Sequence, residues 1–254
     1  MRNLVITFTI LFSSVAAFAE TSDQYIHRSE FFFCNFNEGK SYADLLEEQA
    51  PYEDFLKEKG LQYNRINLLP IWDNDAEYDY VMWGNWPSGQ DQYKEWGAYM
   101  NDYPKWASDN DVPPQNVGDC AKGAVSMRFH SVLRLRIPME DRDERLFTDW
   151  RRCKLTEDAN VAELKALYAK QEKLAKDFGL NGYGVSFFTP YRGNQTGADW
   201  DFLMMTHWYN AESRMNMISS WAEFSDLLED SGIRKERSKH ICLLYTSPSP
   251  RDDR

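Results

Sequence analysis

The chain has 254 residues, 29 lysines and arginines against 40 acids, and a formal net charge of −11. That length suits one large domain or two small ones, and the acidic balance excludes a nucleic-acid partner, which needs a clustered basic surface. With 43% hydrophobic and 27% charged residues the chain is neither a disordered polymer nor a multi-span membrane protein, and its 9 Trp, 14 Tyr and 15 Phe must fill a core or a pocket.

Residues 1–19 read as a secretory signal. Arg2 supplies the positive start, Leu4 to Phe12 the apolar run, and Ala17-Phe18-Ala19 the small-residue cleavage pattern. The run is far short of the roughly 20 residues that span a bilayer, so we expect an exported protein, periplasmic or secreted, in which disulfides persist. At the other end, residues 242–252 resemble a translated sequencing adapter, and we expect the native sequence to be interrupted near Ile241. Cys34, Cys120 and Cys153 then remain, and either of the first-strand cysteines Cys34 and Cys153 is a candidate partner for the other or for Cys120.

Between these ends the chain repeats itself. Cys34 to Glu38 matches Cys153 to Glu157 at an offset of 119, and Gly60-Leu61 matches Gly179-Leu180 at the same offset. Tyr78 to Met82 aligns with Trp200 to Met204, and Trp86 with Trp208, at an offset of 122, which places an insertion in the loop holding Gly193 and Gly197. We assign one copy to residues 20–140 and the other to 141–241. Each begins with an aromatic strand, Glu30 to Phe36 or Phe147 to Leu155. A helix follows. Ser41 with Asp44, and Asn160 with Glu163, form its starting boxes; Gly179 ends the second copy's helix, and Pro51 kinks or splits the first copy's. Two strands come next, Tyr63 to Trp72 and Tyr78 to Trp86, or Gly184 to Tyr191 and Trp200 to Trp208. A second helix starts near Ser88 or Ala211. The first copy ends on a strand from Phe129 to Ile137, with Arg134 and Arg136 facing away from Phe129, Ser131, Leu133 and Leu135. Its counterpart in the second copy should lie just past residue 241. Asn101 to Met127, rich in proline and without periodicity, reads as a lid, a binding loop or disorder.

Strand–helix–strand–strand–helix–strand is the ferredoxin-like order. Its sheet carries helices on one face only and needs a cover for the other. The expected fold is therefore α+β, two tandem ferredoxin-like (βαββαβ) repeats packed sheet to sheet as a pseudo-dimeric barrel. On this element order and duplication the chain resembles the dimeric α/β-barrel superfamily in a single-chain, duplicated form. The resemblance implies a small-molecule pocket between the sheets, a monomer with pseudo-twofold symmetry, and three functional classes. These are a cofactor-independent oxygenase or isomerase acting on an aromatic or apolar substrate, a non-catalytic periplasmic binding or sensing module, and a haem-handling protein using His207 or His130.

The chemistry-bearing residues are few. His207 alternates with Asp201 and Leu203 on one strand and is a candidate acid, base or haem ligand; the plainer account is a hydrogen-bonded histidine on a half-buried strand. Asp79 and Asp201 stand at equivalent strand starts and are candidate general bases, though such residues more often bond turn backbone. The stripe Tyr78, Tyr80, Met82, Trp86 and its copy Trp200, Phe202, Met204, Trp208 either packs beneath the helices or lines the barrel. Asn35, Trp83, Asn85, Trp86 and Trp208 are the candidate ligand-binding groups. Asp73 to Asp79 fails the EF-hand pattern because Tyr78 holds the glycine position, and no His/Cys cluster has zinc spacing. Phosphate-loop, dinucleotide and G-x-S-x-G motifs are absent from the sequence.

Overall fold

The computed structural model describes residues 27–71, 77–120, 124–159, 161–192 and 200–244. The expected signal segment, Asn160, residues 73–75, residues 193–197 and residues 245–254 lie outside the described residues.

The element order follows the repeat. β1 (His27–Phe36), α1 (Tyr42–Lys59), β2 (Asn64–Leu68), β3 (Tyr80–Trp86) and α2 (Gly89–Asn101) come first. α3 (Tyr103–Asp109), β4 (Gly118–Asp119) and β5 (Ala124–Leu135) complete the first half. The second half runs β6 (Phe147–Leu155), α4 (Val161–Asp177), β7 (Tyr183–Arg192) and β8 (Phe202–Trp208), then α5 (Ala211–Ser219), α6 (Trp221–Asp230), α7 (Ile233–Ser238) and β9 (Ile241–Leu244). Local chemistry sets the boundaries. The Ser41 hydroxyl and the Asp44 carboxylate close a reciprocal box at the start of α1, and Gly60 ends it at φ 59°, where a side chain would be strained. Ser88 and Asn210 cap α2 and α5 at equivalent places. Pro51 sits inside α1 without dividing it, so that helix is one piece.

All the strands join one antiparallel sheet in the order β2-β3-β1-β5-β7-β8-β6-β9, with β4 on β1. Each half contributes four strands in the same relative order, and the halves meet edge to edge where β5 pairs with β7. β9 pairs with β6 at Leu155↔Ile241, the place that β4 takes on β1 at Phe36↔Gly118. The sheet is strongly curled. In a flat sheet β3 and β6, five strands apart, would be separated by about 24 Å; instead the rings of Trp83 and Trp150 are 5.7 Å apart. Phe31 touches both Trp150 and Phe188, at 5.4 Å each. These rings, with Val81, Met127 and Met205, fill the concave side.

The helices pack on the convex side. Tyr80 and Leu45 share one cluster there, and Phe202, Met204 and Trp208 share another with Leu164, Tyr168 and Phe224. The alternating ring stripe therefore lies mostly beneath the helices, and its barrel-lining alternative is corrected: the concave face belongs to Trp83 and Met205, one residue out of phase. Only the strand-start residues Tyr78 and Trp200 pack against that concave cluster.

The stretch from Asn101 to Met127 is neither a lid nor disorder over its described part. α3 places Trp106 against Phe55 at 5.6 Å and donates its indole N–H to Glu58 at 2.6 Å. β4 then pairs with β1, and Cys120 forms a disulfide with Cys34. Cys153, the positional copy of Cys34, is buried, and its thiol donates to the Arg151 carbonyl.

Candidate functional site

One end of the concave face changes from rings to polar groups. Along β1 the inward residues are Phe31, Ser29 and His27; along β8 they are Met205 and His207. Ser29 donates to Asn85 at 2.7 Å and accepts from the Trp83 indole at 3.1 Å, closing the first half of this layer. In the second half Thr148 accepts from the Trp150 indole at 3.1 Å, and His207 faces it across the β6–β8 pair. Gly184 lies opposite His207 on β7, and a Cβ there would come within 2.6 Å of the imidazole, so the glycine is what lets the ring lie flat on the strand.

Beside His207 the layer opens into a cavity of about 490 Å³. Its floor is Ser186, 0% exposed, together with Ser131 and His207. Its walls are Phe129, Met139 and Tyr209, with His27 set edge-on to Phe129 at 5.5 Å. Arg134, Arg136 and Arg142 complete it. Arg134 donates to the Ser131 hydroxyl at 2.5 Å. Arg142 lies 4.4 Å over the Tyr209 ring and donates to the Ile137 carbonyl at 3.1 Å, so two separate contacts orient its guanidinium.

A β-bulge builds this basic wall. The β5–β7 register shifts between Ser131 and Leu133, and the extra residue reverses which side chains point inward. Before it, Phe129 faces the concave side; after it, Leu133 and Leu135 pack under the helices while Arg134 and Arg136 reach the cavity. Uninterrupted alternation from Phe129 to Ile137 is thus corrected.

The electrostatics follow from crowding cations in a half-closed space. Burial, and then Arg134 and Arg142, push His207 down to about 4, so the imidazole is neutral at pH 7. His27 is also lowered, by burial first and by Arg134. Two buried polar atoms at the floor, Ser186 Oγ and His207 Nδ1, have no hydrogen-bond partner among the described residues.

Of the candidate residues, His207 alone lines the cavity. Trp83 lies within the ring-filled concave core, and Asn85 is bonded to Ser29 at its polar end. Trp86 and Trp208 sit on the helix side, Trp86 donating to Glu95 at 3.2 Å. Asn35 pairs with Asp119 at the far end of β1, roughly 26 Å along the strand from His27. Asp79 accepts the backbone N–H of Phe36 at 2.8 Å, and Asp201 that of Leu155 at 2.7 Å; neither borders the cavity. His130 faces the opposite side of β5 from Phe129, where burial and the nearby Lys165, Arg128 and Arg28 push it down to about 4. His27, Arg142, Ser186 and Tyr209 carry no motif. Arg134 and Arg136 show in the sequence as an alternating pair, but only the bulge turns them inward.

No family model matches the chain, and no curated protein matches it significantly. Solved structures with a similar trace include a protein assigned provisionally as a chlorite dismutase, at 13% identity and a TM-score of 0.42, covering 85% of this chain and 90% of that one. Chlorite dismutase from Candidatus Nitrospira defluvii in complex with imidazole is similar at 10% identity and 0.41, covering 76% and 81%. A mutant of that enzyme in complex with cyanide is similar at 11% and 0.42, covering 76% and 81%. The function proposed below rests on the cavity's own residues.

Proposed function

We propose that this chain is an exported small-molecule-binding protein, a tandem pair of ferredoxin-like repeats forming a pseudo-dimeric barrel, whose ligand sits in the cavity between His207 and Arg136. The observation that carries the reading is the pair of orphaned polar atoms at the cavity floor. A buried hydroxyl or imidazole nitrogen without a partner costs about 1–3 kcal/mol, and a ligand group that bonds Ser186 Oγ or His207 Nδ1 removes that cost. The centre of the barrel, packed with Phe31, Trp83, Trp150 and Phe188, leaves the mouth as the place for a ligand. The Cys34–Cys120 disulfide accords with export. No described helix is long and apolar enough to cross a membrane.

Binding is favoured over turnover because the described residues of the cavity lining include no carboxylate to act beside the histidines. Native mass spectrometry of the protein purified from its own host tests this. A bound species of a few hundred daltons is expected, and Ser186→Leu, which fills the floor, should abolish it. Retention of the same species by Ser186→Leu would move the site elsewhere.

A second reading, haem handling, is favoured by the neutral imidazole of His207 beside three guanidiniums. The donor set fits: His207 would hold the iron, and Arg134, Arg136 and Arg142 the two carboxylates. Bound haem would supply redox chemistry. Titration with haem should then give a Soret shift that His207→Ala removes; no shift leaves the binding reading alone.

A further inference from the structure

Resting on the mouth cavity as the ligand site, we infer that its ligand is a small organic oxyanion with an apolar body, its acidic group held by Arg134, Arg136 and Arg142 and its body lying against Phe129, Met139 and Tyr209.

The cavity's charge is the first ground. In a chain where acids outnumber bases by 40 to 29, three guanidiniums converge on one concavity whose described lining residues include no carboxylate. None of the three has a salt-bridge partner among the described residues. Guanidiniums brought together without a salt-bridge partner among the described residues repel one another, so the arrangement is stabilised by a negative group from outside.

Presentation of the donors is the second. Arg142 is held over Tyr209 and by the Ile137 carbonyl, and Arg134 by the Ser131 hydroxyl. Both are fixed by neutral partners, which orient them without cancelling their charge. Planar forks fixed in this way match the geometry of a carboxylate or phosphate.

The remaining wall is apolar, which excludes a bare inorganic anion as the best fit. Phe129, Met139 (71% exposed) and Tyr209 offer hydrophobic surface, and about 490 Å³ falls within the range of sites for organic ligands.

Isothermal titration of the full chain with three probes of one shape tests the inference: 1-naphthoate, 1-naphthyl phosphate and the neutral 1-naphthamide. At least one oxyanion should bind, about tenfold or more tightly than the amide. The tighter of the two identifies the acid as carboxylate or phosphate. Arg136→Gln, an exposed change that leaves the core untouched, should weaken the oxyanion about tenfold while leaving the amide unchanged. Added salt should weaken the wild type more than this variant. Equal binding of amide and oxyanions, lost in Ser186→Leu, would overturn the anionic ligand and keep the cavity. Oxyanion binding that survives Ser186→Leu would overturn the cavity itself. Failure of both oxyanions to bind at millimolar concentration would also overturn the inference.

Discussion

The two halves of the sheet use one backbone plan and fill it differently. Beneath the helices of the first half, Glu95 is 5% exposed and accepts hydrogen bonds from the Tyr52 hydroxyl and the Trp86 indole. Arg65 lies over the Tyr52 and Tyr63 rings, and Glu30 is buried nearby. In the second half Met217 stands seven residues after its helix cap, as Glu95 does after Ser88. The Trp208 indole, in the place of Trp86, is buried with no partner among the described residues. At the mouth the asymmetry is reversed. The first half bonds Trp83, Ser29 and Asn85 to one another, whereas in the second Ser186 Oγ and His207 Nδ1 are buried beside the cavity without a hydrogen-bond partner among the described residues. The two halves thus share a backbone plan and differ in which of their buried polar groups are bonded.

The largest expected effect comes from a cross-link found in the first half. Cys34 and Cys120 are 86 residues apart, and closing a loop of that size stabilises by about 4 kcal/mol. Cys34→Ser should lower stability by about that amount in a denaturant melt, and Cys153→Ser by markedly less. Copying the second half into the first by Glu95→Met orphans two buried donors and should cost about 3 kcal/mol. A cost within error of zero would mean that the carboxylate's own burial penalty cancels its bonds.

One buried group from each half, Glu30 and His207, should also titrate with opposite sign. Burial and then the neighbouring Glu95 charge push Glu30 up to about 7. Its folded value is raised, so its contribution to stability is full below pH 4.5 and is lost as pH rises through 7. His207, pushed down to about 4, contributes above pH 6.5 and loses that contribution as pH falls through 4. Glu30→Gln should flatten the alkaline loss and His207→Asn, which installs the first half's residue, the acid loss. Each change should amount to about 2 kcal/mol after allowance for solvent screening. Urea midpoints across that pH range would show both.

Gly184→Ala drives a methyl into His207 and should cost about 1–2 kcal/mol while displacing the imidazole; an unchanged His207 proton titration by NMR would refute the contact. Smallest of all, Asp79→Ala and Asp201→Ala should each cost about 1 kcal/mol, equally and without effect on ligand binding. A selective loss of binding for Asp201→Ala would restore it to the functional site.

How far the site was legible differs from how far the fold was. Element order could be read because aromatic alternation, the Ser41–Asp44 box and the glycines after α1 and α4 are short-range signals. Which side of a strand is concave could not, because period-two alternation is the same seen from either face. Trp86 and Trp208 were candidate ligand-binding groups and pack under helices; Trp83, a candidate on the same strand as Trp86, lies in the concave core. His207 could be placed on a strand but not beside Arg142, a loop residue 65 positions earlier.

Sequence alone determined the strand and helix order, the internal likeness of the halves and the places where helices begin and end, since each depends on residues within a few positions of one another. Only the tertiary structure decided the curl that fills the barrel with rings, the Cys34–Cys120 pairing and the bulge that turns Arg134 and Arg136 inward. Those depend on which strands meet and in what register, and β5 meets β7 only across the intervening β6 and α4.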